Sequence, residues 1–503
     1  MMSLPDWLAA GASVEAPRSR SAYDLGARVD RYSARMTGAC SVPRVVGLLA
    51  DNSPDWIAID LAAQATGTCL VPLPGFFSAE QMAHAVRVSG MQALFAADPE
   101  HAASLGFAHA TAKDVGLGLF LSRTIVPPQK RIDSKGGAQK LTFTSGTTGA
   151  PKGVLLSTEQ QLATARALAS VTCGIGIKRH LCALPLSVLL ENVAGVYTAF
   201  LLGATCVCPP LEEVGLSGAS GFDPERCLEA IGRYEPDSVI LLPQMLHSLV
   251  AQLAGKRGTD PRIGSLKFVP VGGAKTPQGL IVRARELGLP VYEGYGLTEC
   301  ASVVSVNVPG ADRVGTVGRP LPGVTVRVAR DGELEIAGRS SLGYVGSTAT
   351  PPERWLPSGD IGTIDAEGYV SITGRKKNVL VTSFGRNVSP EWPETLLLEN
   401  PILSQAAVFG DACPYLVAVL VPASAQTDDS ALAQLVSEVN ARLPDYAQIR
   451  RFVRASDPFT TRNGLATANG RVRRDAVSRH YASRLSALYG DGNDAYAHQA
   501  RQA

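Results

Sequence analysis

Residues 141–157, reading LTFTSGTTGAPKGVLLS, constrain this chain more than any other stretch. Leu141, Thr142 and Phe143 have the apolar, β-branched character of a strand. They give way to Thr144, Ser145, Gly146, Thr147, Thr148 and Gly149, then to Ala150, Pro151, Lys152 and Gly153, before 154–156 resume a strand-like run. Such a loop can surround a polyphosphate. Its glycines let backbone N–H groups turn inward, its hydroxyls add donors, and Lys152 adds a full positive charge. A plain polar turn is the competing reading, and it leaves the crowding of hydroxyls, glycines and a lysine unexplained. The loop is not of the Walker type, which needs Ser or Thr directly after its lysine, whereas Gly153 follows Lys152. A kinase or GTPase reading is thereby disfavoured.

A chain of 503 residues exceeds what one core sustains, so two or more domains are expected. Hydrophobic residues at 45% and charged residues at 18% describe an ordinary soluble enzyme. A formal net charge of +2 offers no electrostatic case for nucleic acid, and the arginines near the C-terminus (Arg450, Arg451, Arg454, Arg471, Arg473, Arg474) read as a solvated face. Nine cysteines, an odd number without framework spacing, point to reduced thiols and a cytoplasmic location, with zinc disfavoured. Asp6 stands early and no basic region precedes an apolar run, so no signal peptide is expected. The most apolar segment, 193–208, is too short to span a bilayer comfortably, and no stable membrane anchor is expected.

Upstream of the loop, helical spacing across 21–36 (Tyr23, Leu25, Val29, Tyr32) is followed by a strand at 44–50 and by a helix that Ser53 caps, running through Ala65. Strands at 69–72 and 93–97 flank a helix at 80–89. Downstream, helices at 159–170, past Asn192 and at 224–233 alternate with strands at 180–184, 205–208 and 238–242. This alternation predicts βαβ units and a mostly parallel sheet. The fold class expected is α/β: a large N-terminal domain of two βαβ-type subdomains plus a small β-subdomain, then a mobile small α+β C-terminal domain. The boundaries expected are 1–373 for the first, 374–378 for a hinge, 379–489 for the second and 490–503 for a loose tail.

Three further stretches carry chemistry. A strand ending in Gly272, Gly273 and Ala274 offers flat backbone for a planar base. Residues 291–302, VYEGYGLTECAS, supply an aromatic face at Tyr295, a hydroxyl at Thr298 and, at Glu299, a carboxylate suited to a hard cation; alone they fit equally a strand-end aromatic and a helix-capping Glu. In SGDIGT at 358–363, Asp360 sits in a turn where a carboxylate can accept both ribose hydroxyls, though alone it is only a turn Asp.

Taken in order, the phosphate loop, the GGA turn, YGLTE, SGDIG, GRKKNVLVTSFGRNVSPEWPE and the terminal NGL-x-T loop resemble the acyl-adenylate-forming superfamily over nearly the whole chain. GRKKNVLVTSFGRNVSP and FTTRNGLATANGRVRR look most like its long-chain fatty acyl-CoA synthetases. The resemblance implies an AMP-forming acid–thiol ligase. A carboxylate attacks the α-phosphorus of Mg-ATP to give acyl-AMP and pyrophosphate, and a pantetheine thiol then expels AMP. Carried over residue by residue, it implies that Thr144, Ser145, Thr147, Thr148 and Lys152, with Gly146 and Gly149, hold the β- and γ-phosphates. Gly273 and Ala274 with Tyr295 and Gly296 take adenine, Thr298 contacts the α-phosphate, and Glu299 binds Mg²⁺. Asp360 and Arg375 fix the ribose, and Lys377 stands at the hinge. Ser383, Phe384, Gly385 and Arg386 would line a thiol tunnel.

Three departures from the family pattern matter. Arg471 stands where the family places a lysine that reaches into the site during adenylation, and Arg is not a conservative exchange at a one-point contact. Arg471 doing that task, Arg473 doing it, and a chain weak in adenylation remain open. In LPLSVLLENVAG, Ser187 and Val188 stand where relatives carry an aromatic or His at the acyl pocket. Leu186, Val188, Leu189, Val193, Gly195, Leu297 and Cys300 then suggest an apolar pocket without a fixed counter-charge, against the alternative that several are core. No Asp is placed to hold an α-amino group, so an aliphatic or aromatic acid is favoured over an amino acid. Thr158 and Glu159 stand where a basic residue usually follows the phosphate loop. The expected substrates and cofactors are a hydrophobic carboxylic acid, ATP, Mg²⁺ and CoA, with a carrier protein's phosphopantetheine as the alternative acceptor.

Overall fold

The computed structural model describes residues 13–15, 24–37, 45–108, 113–114, 119–123, 137–144, 151–218, 221–255, 258–347, 354–384, 386–467 and 470–489. Ser145, Gly146, Thr147, Thr148, Gly149 and Gly385 lie outside them, as does the tail from 490.

The two strands that flank the expected phosphate loop lie in an eight-stranded sheet. Lys140–Thr144 pairs antiparallel with Lys152–Leu156, with Thr144 opposite Lys152. On the other side Lys140–Thr144 joins Cys69–Pro72, Val45–Leu49 and Ala93–Ala96 in parallel register. Gly343–Tyr344 closes one edge, antiparallel to Lys152–Leu156. The parallel centre reads as continuous apolar runs because both its faces are covered by helices.

The helix Pro54–Ala65 is capped by Ser53, whose hydroxyl accepts the Trp56 N–H at 3.2 Å, with Pro54 in its first turn. A capping box opens Thr158–Thr172: Ser157 Oγ accepts from Gln160 N and Gln160 Oε1 accepts from Ser157 N. These helices and the parallel strands enclose a core around Trp56, Leu70, Phe95 and Tyr197.

A second parallel sheet runs Ser13–Glu15, Thr205–Val207, Arg179–Leu181, Ser238–Val239. It continues through bridges at Phe268 and Val271 into Val269–Val271 and Val291–Tyr295. The segment expected to be helical past Asn192 is a π-helix, Leu190–Tyr197, leading into the α-helix Thr198–Leu201. Its extra residue per turn is the local price of the buried Glu191 and Asn192, each of which turns inward to a partner.

The small β-subdomain is an antiparallel meander, Thr325–Val328, Glu333–Ala337, Leu356–Ile364 and Val370–Arg375. Beyond it, Leu403–Phe409, Leu416–Pro422 and Ile449–Arg454 make a three-stranded sheet with its own cores on either face. The sequence reading passes over Ile449–Arg454 because Arg450 and Arg451 interrupt its alternation; only Ile449 and Val453 are buried. Among the described residues, no helix is long and apolar enough to cross a membrane.

Candidate active site

The strand ends of both large sheets, the meander and the C-terminal loop open on one cavity of about 1310 Å³. Thr144 and Lys152 line it from the base of the phosphate-loop hairpin. Gly273, Ala274, Tyr295, Gly296, Thr298 and Glu299 line it from the second sheet, and Asp360, Arg375, Lys377 and Arg471 from the C-terminal side. The structure therefore brings every described nucleotide-side candidate to one space.

Lys152 and Glu299 meet through a residue the sequence reading did not single out. Tyr344 donates its hydroxyl to Glu299 Oε1 at 2.7 Å, and the Lys152 ammonium lies 5.8 Å from the centre of the same ring. Tyr344 is placed there by the edge strand that pairs with Val154 and Leu155. No spacing rule links positions so far apart in sequence.

The wall formed by Gly273, Ala274, Tyr295 and Gly296, where adenine is expected, is shaped by glycines. Gly273 has φ +88°, a left-handed value that a side chain rarely adopts. A Cβ on Gly296 would lie 1.7 Å from the Ser302 carbonyl oxygen, so the backbone passes too close there for any other residue. Ala301 and Ser302 themselves have positive φ, strain concentrated beside the 3₁₀ turn Thr298–Cys300. Behind this wall Glu293 is buried and accepts the Thr276 N–H at 2.9 Å; burial pushes its carboxyl up to about 7.

Asp360 and Arg375 are register partners on adjacent strands, which explains their approach. Arg375 Nε lies 2.7 Å from Asp360 Oδ1, and the Tyr295 hydroxyl donates to Asp360 Oδ2 at 2.6 Å. Burial raises the Asp360 pKa despite Arg375, and burial with Asp360 raises that of Tyr295. A carboxylate oriented by a guanidinium and a phenol is suited to accept a pair of vicinal hydroxyls.

Arg471 reaches across from the C-terminal loop, its Nε donating to the Gly273 carbonyl at 3.0 Å and Nη2 to the same oxygen. Its head stands among Tyr295, Asp360 and Arg375, where partial desolvation in the cleft and the Arg375 charge draw its pKa down, although the residue as a whole is exposed. Arg473 also borders the cavity but donates to the Gly464 carbonyl, and Arg474 forks onto Glu394 at 2.6 and 3.0 Å. Lys377, on the turn Lys376–Asn378, also feels burial, Arg375 and Arg471, which lower its pKa.

The apolar arm of the cavity needs a correction. Val188, Gly195 and Leu297 line it, as do Leu189 and Ala194, but Leu186, Val193 and Cys300 do not. The Leu186 N–H donates to Asn52 Oδ1 at 2.8 Å, and that anchor turns its side chain into the first core. Val193 lies on the buried face of the π-helix. Cys300 is the last residue of its turn and packs into a cluster with Val303 and Val304. Nor is the arm free of ionisable groups: His180 lines it, paired with the buried Glu191.

Comparison with known proteins agrees with this geometry. Residues 5–345 match the family described as AMP-binding enzyme, and residues 377–493 match the AMP-binding enzyme C-terminal domain. The long-chain-fatty-acid–CoA ligase FadD15 of Mycobacterium bovis is 27% identical, with 86% of each chain covered. A feruloyl-CoA synthase of Amycolatopsis sp. is 28% identical, covering 90% of this chain and 93% of its own. Among solved structures, the anthranilate CoA ligase AuaEII in complex with anthranoyl-AMP superposes with a TM-score of 0.77 at 18% identity, over 97% of this chain and 98% of that one, a likeness of fold. This chain belongs to the AMP-binding enzyme family, within the acyl-adenylate-forming superfamily, and is an enzyme of its acid–thiol ligase type.

Proposed function

We propose that the protein activates a hydrophobic aliphatic or aromatic carboxylic acid with ATP and passes the acyl group to the pantetheine thiol of CoA. The carrying observation is that Lys152, Tyr344 and Glu299 share one cavity with the Tyr295–Asp360–Arg375 cluster and with an apolar arm. A carboxylate oxygen attacks the α-phosphorus, the bond to the bridging oxygen breaks, and pyrophosphate leaves. The thiol sulfur then attacks the acyl carbon, and AMP departs with the anhydride oxygen.

Both partners of the first step are anionic, so neutralising charge and fixing the line of attack supply most of the rate. In this reading Lys152, with Thr144, Ser145, Thr147 and Thr148 around Gly146 and Gly149, holds the β- and γ-phosphates. Gly273, Ala274, Tyr295 and Gly296 hold adenine, Asp360 and Arg375 the ribose, and Thr298 the α-phosphate. Glu299 would hold Mg²⁺: Tyr344 engages one carboxylate oxygen, and a lone carboxylate facing phosphates suits a cation that takes most of its oxygens from substrate and water. When bound, the ion supplies charge to the departing pyrophosphate. Arg471 is the residue that reaches the site during adenylation, supported by its contact with Gly273 across the cavity while Arg473 is bonded to Gly464 of its own loop.

We infer too that residues 1–373 and 379–489 act as two domains about a hinge at 374–378, with Lys377 as the hinge residue. The separate cores beyond Leu380 and the two family matches support it. Free cysteines throughout the described residues support a cytoplasmic setting.

The test is acid-dependent pyrophosphate release across fatty, aryl and amino acids, followed by CoA-dependent AMP release. Activation of hydrophobic acids is the expected result, and pyrophosphate release by amino acids alone would overturn the acid class. Turnover with a holo-carrier protein but not with CoA would reassign the acceptor.

A further inference from the structure

We propose that one wall of the acyl pocket is a hydroxyl-recognition subsite in which Ser238, backed by His180 and Glu191, holds a hydroxyl carried on the tail of the acid. This rests on the acid-activation reading above and narrows its substrate class.

His180 and Ser238 are register partners on adjacent parallel strands, with Ser238 Oγ 2.9 Å from His180 Nδ1. The opposite ring nitrogen, Nε2, lies 2.8 Å from Glu191 Oε1, and Glu191 Oε2 accepts the Leu184 N–H at 2.8 Å. Exposure is 4% for Ser238, 3% for His180 and zero for Glu191, so this is a relay sealed inside the protein. Only its outer two residues reach the cavity, between the apolar side chains of Ala194, Ile240 and Phe268. The π-helix makes room for it: a Cβ on Gly195 would fall 2.2 Å from Glu191 Oε1 and 2.7 Å from His180 Nε2.

A pocket that held hydrocarbon alone would be lined more stably by apolar residues, because burying an ionisable pair carries a desolvation penalty. The relay is satisfied at every atom but its last. Both ring nitrogens of His180 and both oxygens of Glu191 have partners, whereas Ser238 Oγ makes one hydrogen bond and retains capacity for another. Other hydroxyls on the same wall are turned to their own backbone, Thr198 to the Val193 carbonyl and Thr172 to that of Leu168.

The relay also dictates the ligand. Where His180 donates from Nδ1, the Ser238 proton is left to donate into the cavity. Where Nδ1 accepts that proton, the Ser238 lone pairs are left to accept. A hydroxyl donates and accepts, so it completes the chain in either state; an ether or ketone completes it in one, and a methyl group in neither. Burial lowers the His180 pKa, but the hydrogen bond and charge of Glu191, with Cys182 beside them, outweigh it and the net shift is upward.

The experiment compares matched acids in wild-type protein and in Ser238→Ala: phenylpropanoate with its para-hydroxyphenyl counterpart, and dodecanoate with ω-hydroxydodecanoate. KM and kcat are read from acid-dependent pyrophosphate release, and binding without ATP from the thermal shift each acid produces. At least one hydroxylated acid is expected to have a KM about tenfold below its deoxy partner, the worth of one good hydrogen bond to a buried group, with the preference carried in KM and not in kcat. Ser238→Ala should bring that ratio to about one. The ratio is taken within each protein, so an overall loss of activity does not affect it. Equal KM values within both pairs, or a preference that survives Ser238→Ala, would overturn the subsite while leaving acid activation standing. Absence of pyrophosphate release with every acid would overturn both.

Discussion

At the scale of single residues, the buried charges separate into those that hold the fold and those that set its response to pH. Lys140 is fully buried, 2.9 Å from Asp60 Oδ1 and 3.0 Å from the Tyr197 hydroxyl. It fastens the strand that feeds the phosphate loop to the helix Pro54–Ala65 and to the π-helix. Lys140→Met leaves Asp60 buried without its cation, at a cost of about 3–5 kcal/mol. Adding Asp60→Leu should recover part of that loss, so chemical denaturation of the two single variants and the double variant will be non-additive. Additive losses would mean the pair does not act as a unit. Glu293 governs a different behaviour. Its carboxyl is raised from an ordinary value near 4.5 to about 7 by burial. Between those values the folded chain keeps a proton that the unfolded chain has lost, so stability falls as pH rises through this window and is flat above it. The amide of Glu293→Gln can still accept the Thr276 N–H but cannot titrate. Relative to wild type the variant should gain stability between pH values of about 5 and 7.5, by on the order of 2 kcal/mol, as read from denaturant midpoints. An unchanged difference across that range would remove Glu293 from the pH response.

At the scale of elements, the close passage of Gly296 by Ser302 ties the base-binding wall to the turn bearing Thr298 and Glu299. Gly296→Ala must push one of the two backbones aside. It is expected to weaken ATP binding by about tenfold or more, because Gly296 and Ser302 border the cavity, and to lower the melting temperature as well, because Ala301, Val303 and Val304 beside Ser302 are core residues. Isothermal titration with ATP checks this, and unaltered affinity would mean the wall is not where the nucleotide lies. What the sequence made legible follows from the same local geometry. Period-two and helical patterns, Ser53 as a cap, and glycine-rich turns are effects of neighbours along the chain, so they could be read without the fold. Asp360 and Arg375 are linked in the sequence only through the family resemblance, and the hairpin that brings them into register is the physical reason they meet. Tyr344 with Glu299, Lys140 with Asp60, and His180 with Glu191 could not be read, because their contacts join different elements and no spacing rule governs them. The substrate-pocket assignments erred at Leu186, Val193 and Cys300 for a related reason: in a segment apolar all round, the face that meets a cavity is chosen by packing and by the π-helical twist, not by residue type.

At the scale of the whole molecule, the C-terminal part borders the cavity with Trp392, Leu398 and Arg471 among its lining residues, and Arg471 bonds across to the Gly273 carbonyl. Arg471 is held out toward Gly273 by a loop with its own frame: Thr467 Oγ1 accepts the Arg471 N–H at 3.1 Å, and Arg474 forks onto Glu394. The loop can therefore keep its shape while its guanidinium leaves the cavity, as a swinging domain requires. If Arg471 acts only while the site is assembled for adenylation, its loss should divide the two half-reactions. Arg471→Ala is expected to lower pyrophosphate release by about a hundredfold, the scale of one charge-stabilising donor, while AMP release from a supplied acyl-adenylate and CoA falls far less. Arg471→Lys should restore much of the first step, since a point charge at that place answers the same need with a different reach. Equal losses in both steps would instead make Arg471 a residue that merely braces the closed form, and an undiminished first step would show that the charge reaching the α-phosphate comes from elsewhere in the chain.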